Sequence, residues 1–146
     1  MMKSKWSFLR TLALVHLVVS VSAASVWAQS GDVPTSSVSI HAVRYHVEPG
    51  RTRVWFETSG TVLYTQYSPD PLTLVVDLPG VDVSGIAERT VVGSREVESI
   101  LVNRLEGVNG KSLSRIEIKL GSLVPYEISA SQHTMTILFE GAESEE

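Results

Sequence analysis

The chain of 146 residues contains no cysteine. No disulfide can therefore brace the fold, no thiol can act as a nucleophile, and no lipid-modified cysteine can form near the N-terminus. A small domain without disulfides depends on its hydrophobic core for stability. If the chain is exported, this composition fits a bacterial domain better than a small animal secreted module.

Basic residues are scarce after the first 28 positions. The opening segment holds Lys3, Lys5 and Arg10 and no acid, so its removal takes the formal net charge from −4 to −7. Phosphate binding requires a clustered basic surface. The charge balance therefore argues against nucleic acid as a partner.

Long hydrophobic runs are missing too. The uncharged stretch Thr11–Ala24 covers about 14 residues, whereas a membrane-spanning helix needs about 20. It follows a basic start and precedes the compact residues of Val26-Trp27-Ala28, which is typical of a secretory signal peptide. We predict a signal peptide at residues 1–28, cleaved after Ala28, with a retained N-terminal anchor as the alternative.

The mature chain is then expected to be periplasmic and to have no membrane span. Residues 29–37 are mainly Ser, Gly, Pro and Thr, and we predict a flexible linker there. One folded domain is predicted over residues 38–140. The small and acidic residues 141–146 predict a disordered tail.

The usual catalytic motifs are also lacking. No serine lies in a Gly-x-Ser-x-Gly elbow, and no glycine-rich phosphate loop precedes a helix. His46 and Glu48 lie two residues apart, but zinc sites need three or four converging ligands, and His41 and His133 are more simply surface histidines. We therefore expect no metal, no cofactor and no enzymatic activity.

Alternating hydrophobic residues predict strands. In the stretch Leu72–Gly80, the apolar residues Leu72, Leu74, Val76 and Leu78 share one face of an extended chain. Pro79-Gly80 ends the pattern, because proline offers no donor to a ladder and glycine opens a turn. This predicts a strand with a buried inner face and with Asp77 displayed at a corner.

Three earlier strands are predicted to lie beside this one, over Val38–Tyr45, Arg53–Thr58 and Val62–Tyr67. In the first, the apolar parity changes between Ala42 and Val43, which indicates either a bulge or burial on both faces. In the second, Val54 and Phe56 are predicted to point inward.

The second half repeats this order of strands. Several short stretches match between the two halves: Ser39-Ile40 with Ser99-Ile100, Arg53-Val54 with Arg115-Ile116, Val62 and Tyr64 with Val124 and Tyr126, and Leu72, Leu74 and Val76 with Met135, Ile137 and Phe139. Alternating strands also resemble one another by chance. The joining segment Val81–Glu96 contains two glycines, which makes a helix there unfavourable.

This pattern predicts an all-β fold, a sandwich of two four-stranded sheets built from two pseudosymmetric copies. Each copy has one apolar face and is not stable alone. We expect the copies to bury those faces against each other.

The sequence resembles the AMIN domain family. The resemblance rests on the predicted signal peptide, the two-copy β unit, Arg53-Val54-Trp55-Phe56 before a glycine turn, and the corner Asp77-Leu78-Pro79-Gly80, and it spans roughly Val38 to Phe139. The family occurs at the front of periplasmic N-acetylmuramoyl-L-alanine amidases and type IV pilus secretins. It implies a small β-sandwich that places its host protein on peptidoglycan without catalysis. The catalytic or pore domain that such a host would carry is missing from these 146 residues.

Binding residues are predicted on the outward parity of the strands. Arg53, Trp55 and the matching Arg115 are the candidates, with Asp77 added from the corner that carries the resemblance. Tryptophan stacks on the apolar face of a sugar ring, and arginine grips a carboxylate in a bidentate fork. The alternative for each residue is structural, with Trp55 covering a sheet edge and the arginines paired to neighbouring acids.

Two functions follow as expectations. In the first, a non-catalytic periplasmic module binds peptidoglycan and localises an envelope protein or assembly. In the second, a protein-interaction module recruits a pilus or envelope partner through its exposed strand edges.

Overall fold

The computed structural model describes residues 37–106 and 110–141. They form nine strands: β1 (Ile40–Glu48), β2 (Arg51–Thr58), β3 (Thr65–Asp70), β4 (Thr73–Pro79), β5 (Arg89–Val91), β6 (Val97–Glu106), β7 (Ser112–Leu120), β8 (Tyr126–Ala130) and β9 (Thr134–Glu140). The predicted signal peptide, the linker except Ser37, and the tail except Gly141 lie outside the described residues. No helix in the two described ranges is long and apolar enough to cross a membrane.

The strands form two antiparallel sheets packed in a sandwich-like arrangement. The first sheet has the order β1-β2-β9-β8, and the second has the order β3-β4-β7-β6-β5. Each sheet therefore combines strands from both halves of the chain. The expectation that each half supplies one sheet is wrong, because β2 pairs with β9 and β4 pairs with β7.

Alternation along the strands builds a single core between the sheets. Val54 and Phe56 of β2 are fully buried, as predicted, and so are Ile116 and Ile118 of β7. They join one hydrophobic cluster with residues of β4, β6 and β9, including Leu74, Val76, Leu78, Ile100, Met135, Ile137 and Phe139. Since inward residues meet in this cluster, the odd-numbered residues of β2 and β7 lie on the two outer faces.

A short strand inside the connection between the halves makes the second sheet five-stranded rather than four-stranded. β5 pairs its three residues with Ser99–Leu101 of β6. Three residues are too few to show alternation, so the sequence pattern gave no signal for this strand. Thr90 is half-buried and its neighbours Arg89 and Val91 are exposed.

The predicted boundaries around β3 and β4 were partly wrong. Leu72 is 45% exposed because it lies in the turn before β4 and outside the alternating face. Asp77 lies within β4 rather than at a corner. β3 begins at Thr65, three residues later than predicted. It contains Pro69, which is tolerated because β3 is an edge strand and needs backbone hydrogen bonds to a neighbouring strand on one side only.

The parity change in the first strand is a β-bulge. The pairing of β1 with β2 shifts between Ile40 and Ala42, so two residues of β1 oppose one residue of β2 there. A matching shift lies between Val97 and Ser99 in the pairing of β6 with β7. The bulge lies one or two positions earlier than the sequence pattern indicated.

Candidate ligand-binding faces

Two of the predicted binding residues lie together on the outer face of the first sheet. Arg53 is exposed and Trp55 is half-buried, because the alternation of β2 points both away from the core. Arg44 of β1 lies directly across from Trp55, and Glu57 follows Trp55 on the same side of β2. We call these four residues, Arg44, Arg53, Trp55 and Glu57, the first face.

Trp55 borders a shallow depression of about 420 Å³. His41 and Glu57 line it beside Trp55, and His133 and Thr134 approach from the β9 side. An indole edge surrounded by carboxylate, imidazole and hydroxyl groups offers both an apolar surface and hydrogen-bonding partners. Such a surface suits a ligand that has one apolar face and many polar groups.

Glu57 organises the charges around this depression. The Arg44 Nε donates a hydrogen bond of 2.6 Å to the Glu57 Oε1, and the His41 Nε2 lies 3.8 Å from the Glu57 Oε2. Arg44, His41 and Glu57 were not among the binding residues predicted from the sequence. The parity change that revealed the bulge was the available signal, because a bulge redirects the side chains next to it.

Arg53 has no acidic neighbour across either adjacent strand. It lies opposite His46 of β1 and Leu138 of β9. Among the residues that the structure describes, no hydrogen bond or ion pair engages its side chain. Its guanidinium therefore presents a free bidentate fork next to Trp55.

The other two predicted residues bind each other on the second sheet. Arg115 of β7 lies directly opposite Asp77 of β4. The Arg115 Nε donates to the Asp77 Oδ1 at 2.7 Å, and the Arg115 Nη2 donates to the Asp77 Oδ2 at 2.9 Å. The guanidinium carbon also lies 5.8 Å from the centre of the Tyr67 ring, within cation–π range.

Asp77 and Arg115 satisfy each other's charge. The hydrogen bonds with Asp77 raise the pKa of Arg115 above its ordinary value, against the smaller opposing effect of burial. The side chains of Arg115 and Asp77 keep only 27% and 15% of their surface exposed. We call Tyr67, Asp77 and Arg115 the second face.

The four predicted residues thus lie on two faces that point away from each other. The first face is the outer side of one sheet of the sandwich, and the second face is the outer side of the other sheet. Arg53 and Arg115 hold corresponding places, each on the strand next to a bulged strand. The corresponding cross-strand neighbour is Leu138 for Arg53 and Asp77 for Arg115. The structure therefore brings the predicted residues together in two pairs rather than in one row.

A third polar site lies where the chain leaves β4. Asp82 accepts hydrogen bonds from the Ser84 hydroxyl at 2.8 Å and from the Ser84 N–H at 3.0 Å, and these two bonds lower its pKa. Arg104 lies 3.4 Å away. Within the described parts of the chain, no three His, Cys, Asp or Glu side chains converge as a metal site would require.

Comparison with known proteins gave no assignment: no family model matches the chain, and no curated protein matches it significantly.

Proposed function

We propose that the chain is a non-catalytic, AMIN-like module of the bacterial envelope that binds peptidoglycan through the first face. One observation carries the proposal. Trp55 is half-exposed beside a polar depression, and two residues away on the same strand lies Arg53, whose guanidinium has no hydrogen bond or ion pair among the described residues.

The chemistry of peptidoglycan matches these groups. Its sugar rings have apolar faces that can stack on Trp55, and its stem peptides carry carboxylates that Arg53 can grip with two parallel hydrogen bonds. The polar groups around the depression, Glu57 and His133 among them, can hydrogen-bond the sugar hydroxyls. In this proposal Arg115 and Asp77 have a lesser role, since each already satisfies the other.

We also propose that the two halves of the domain are pseudosymmetric copies. Support comes from the sheet orders, in which β1 and β2 join β9 and β8 while β6 and β7 join β4 and β3. The matching bulges in β1 and β6 add to it. The pairings align Leu74, Val76 and Leu78 with Met135, Ile137 and Phe139, two residues away from the alignment drawn from sequence.

Residues 1–28 are proposed to direct export to the periplasm, where the wall polymer lies. The host assembly is proposed to be of the pilus-secretin or amidase type, on the strength of the sequence resemblance. The mature chain, at −7, carries little positive charge to attract an acidic polymer over long distances. Binding is therefore expected to depend on the local contacts of the first face.

The experiment is co-sedimentation with purified sacculi. Trp55→Ala and Arg53→Ala should each reduce the bound fraction while the variants stay folded. Leu63→Ala is the control for loss of an exposed apolar side chain, since Leu63 is 79% exposed outside the first face. Arg89→Ala on β5 is the control for loss of an exposed arginine. Equal binding to sacculi by the wild type and all four of these variants would refute the proposal.

An alternative function is recruitment of an envelope or pilus protein by strand addition. It is favoured by β3, an edge strand whose six residues are all exposed. Regular pairing of β3 with β4 covers only Thr65–Tyr67, so a docking strand would be short. Capture of a specific envelope protein, lost on Gln66→Pro and unaffected by Trp55→Ala, would support this alternative.

A further inference from the structure

Most of the outer edge of β1 pairs with no other described strand, whereas the outer edge of β6, the strand at the corresponding place in the second sheet, is paired. In the second sheet, β5 covers the outer edge of β6. In the first sheet β1 is itself an edge, and within the described residues only its beginning is paired on that side. There, Ser39 bridges to Asp82 and the Ile40 N–H donates to the Asp82 carbonyl at 2.8 Å. An open edge of this kind is a template for another strand.

The direction of the backbone groups defines what this edge offers. The Thr58 N–H donates to the His133 carbonyl on the β9 side, so the odd-numbered residues of β2 direct their backbone groups to β1. Arg53 is one of these and lies opposite His46, so His46 bonds to β2. The alternate residues Tyr45 and Val47 consequently direct their N–H and C=O groups outward.

The side chains near this edge are unusually exposed for their types. Tyr45 and Val47 follow the inward parity of β1 but remain 41% and 45% exposed. On the opposite side of the strand lie a base and an acid, Arg44 and Glu48, on either side of His46. The sequence Arg44-Tyr45-His46-Val47-Glu48 is therefore self-complementary when read in the antiparallel direction.

We propose that a second copy of this chain binds here, with the two β1 strands paired antiparallel about His46. Arg44 of each copy then lies opposite Glu48 of the other. On the other side of the joined sheet, Tyr45 of each copy packs against Val47 of the other. The outward N–H and C=O groups of Tyr45 in each copy bond to those of Val47 in the other copy. These hydrogen bonds pair the edge of each β1 strand that is open in the single chain.

The charges select this register over its neighbour. Pairing centred on Tyr45 would set Arg44 against His46 and leave Glu48 opposite Ala42, with no basic residue of the other copy across from it and only the contact of 3.4 Å with His46 of its own chain. The existing contacts of Arg44 permit the proposed one, since its Nε binds Glu57 and, within the described residues, no other hydrogen bond or ion pair engages the guanidinium that would meet Glu48. The arrangement is isologous, so each favourable pair occurs twice.

The dimer would form one continuous eight-stranded sheet from the two first sheets. If the proposed wall binding is also correct, both copies of Trp55 lie on one face of that sheet, about 20 Å apart, since three strand spacings separate them across the sheet and four residues separate them along it. Two equal sites on one face suit a repeating polymer, because binding at the second becomes intramolecular. This consequence rests on the proposed function, whereas the dimer does not.

Sedimentation equilibrium of the full mature chain, without wall material, tests the dimer over a wide range of concentrations. The wild type should dimerise reversibly. Arg44→Glu and Glu48→Arg should each raise the dissociation constant about tenfold or more, because two attractive pairs become repulsive. The double variant carrying both changes should recover most of the wild-type affinity, since it exchanges the charges and keeps them complementary.

A second variant separates dimerisation from folding. The Val47 N–H faces outward, so Val47→Pro removes a bond of the dimer and none of the pairing between β1 and β2. It should be monomeric with an unchanged β-sheet circular dichroism spectrum. A monomeric wild type, or single charge variants that dimerise as well as the wild type, would overturn the proposal. If Val47→Pro is monomeric but the double charge variant does not recover the dimer affinity of the wild type, then the β1 strands pair in a different register from the one proposed.

Discussion

Arg115 grips both carboxylate oxygens of Asp77, whereas the corresponding arginine of the first sheet, Arg53, faces Leu138. The two arginines hold corresponding places in their sheets and differ in what lies across the next strand. A guanidinium already held by a carboxylate has little left to offer a ligand, and a free one keeps its full donor set. This difference is why the first face is favoured for binding.

Breaking the Asp77–Arg115 pair should lower stability modestly and leave wall binding intact. Asp77→Ala is expected to reduce the free energy of unfolding by about 1–2 kcal/mol, between the values for exposed and buried pairs. Denaturant unfolding of Asp77→Ala, Arg115→Ala and the double variant gives the coupling energy between the two side chains. If Asp77→Ala abolished binding to sacculi while folded, the second face would be the binding surface.

Phe56→Ala should remove a large part of the core. Phe56 is fully buried between the sheets, so its truncation is expected to cost about 3–5 kcal/mol of unfolding free energy. Leu63→Ala is the control, with an expected change within about 0.5 kcal/mol, because Leu63 is mostly exposed. A small effect of Phe56→Ala would mean that the two sheets are not packed on this side chain.

The hydrogen bonds from Ser84 should give Asp82 a distinct titration. They lower the folded-state pKa of Asp82 below its ordinary value of 3.8. Their contribution to stability is therefore fully present above pH 3.8 and is lost as the pH falls through the lower folded pKa. NMR titration of the carboxyl carbon should show a midpoint below 3.8, and Ser84→Ala should move it upward. No movement in that variant would assign the shift to another group.

Export should remove the first 28 residues. The basic start, the short apolar run and the compact residues before Gln29 all predict cleavage after Ala28. The intact mass of the chain recovered from the periplasm should match residues 29–146. Recovery of the uncleaved chain in the inner membrane would favour the anchor alternative.

The sequence predicted the buried faces well because alternation reports directly which side of a strand meets the core. Val54 and Phe56 were predicted to point inward, and both are fully buried. Alternation does not report which strands are neighbours. The mixed composition of each sheet was therefore missed, although every strand in the mixture except β5 had been expected.

The candidate site was less predictable for the same reason. Outward parity placed Arg53 and Trp55 correctly on the surface of β2. The Asp77–Arg115 pair joins residues on separate strands and depends on the register of β4 with β7, which no local pattern encodes. Leu72 shares the parity of Leu74 but lies before the strand begins, and a turn boundary overrides parity there.

Tryptophan fluorescence tests wall binding by the first face most directly. The sequence has tryptophan only at positions 6, 27 and 55, so Trp55 is the single tryptophan of a chain that begins at Gln29, and excitation at its red edge avoids the tyrosines. Titration with a soluble disaccharide–peptide fragment of peptidoglycan should change the emission saturably, with a dissociation constant near the millimolar level. Arg53→Ala should weaken this response, and Arg115→Ala should leave it nearly unchanged. An emission spectrum that stays constant while sacculi still bind the chain would contradict binding at Trp55.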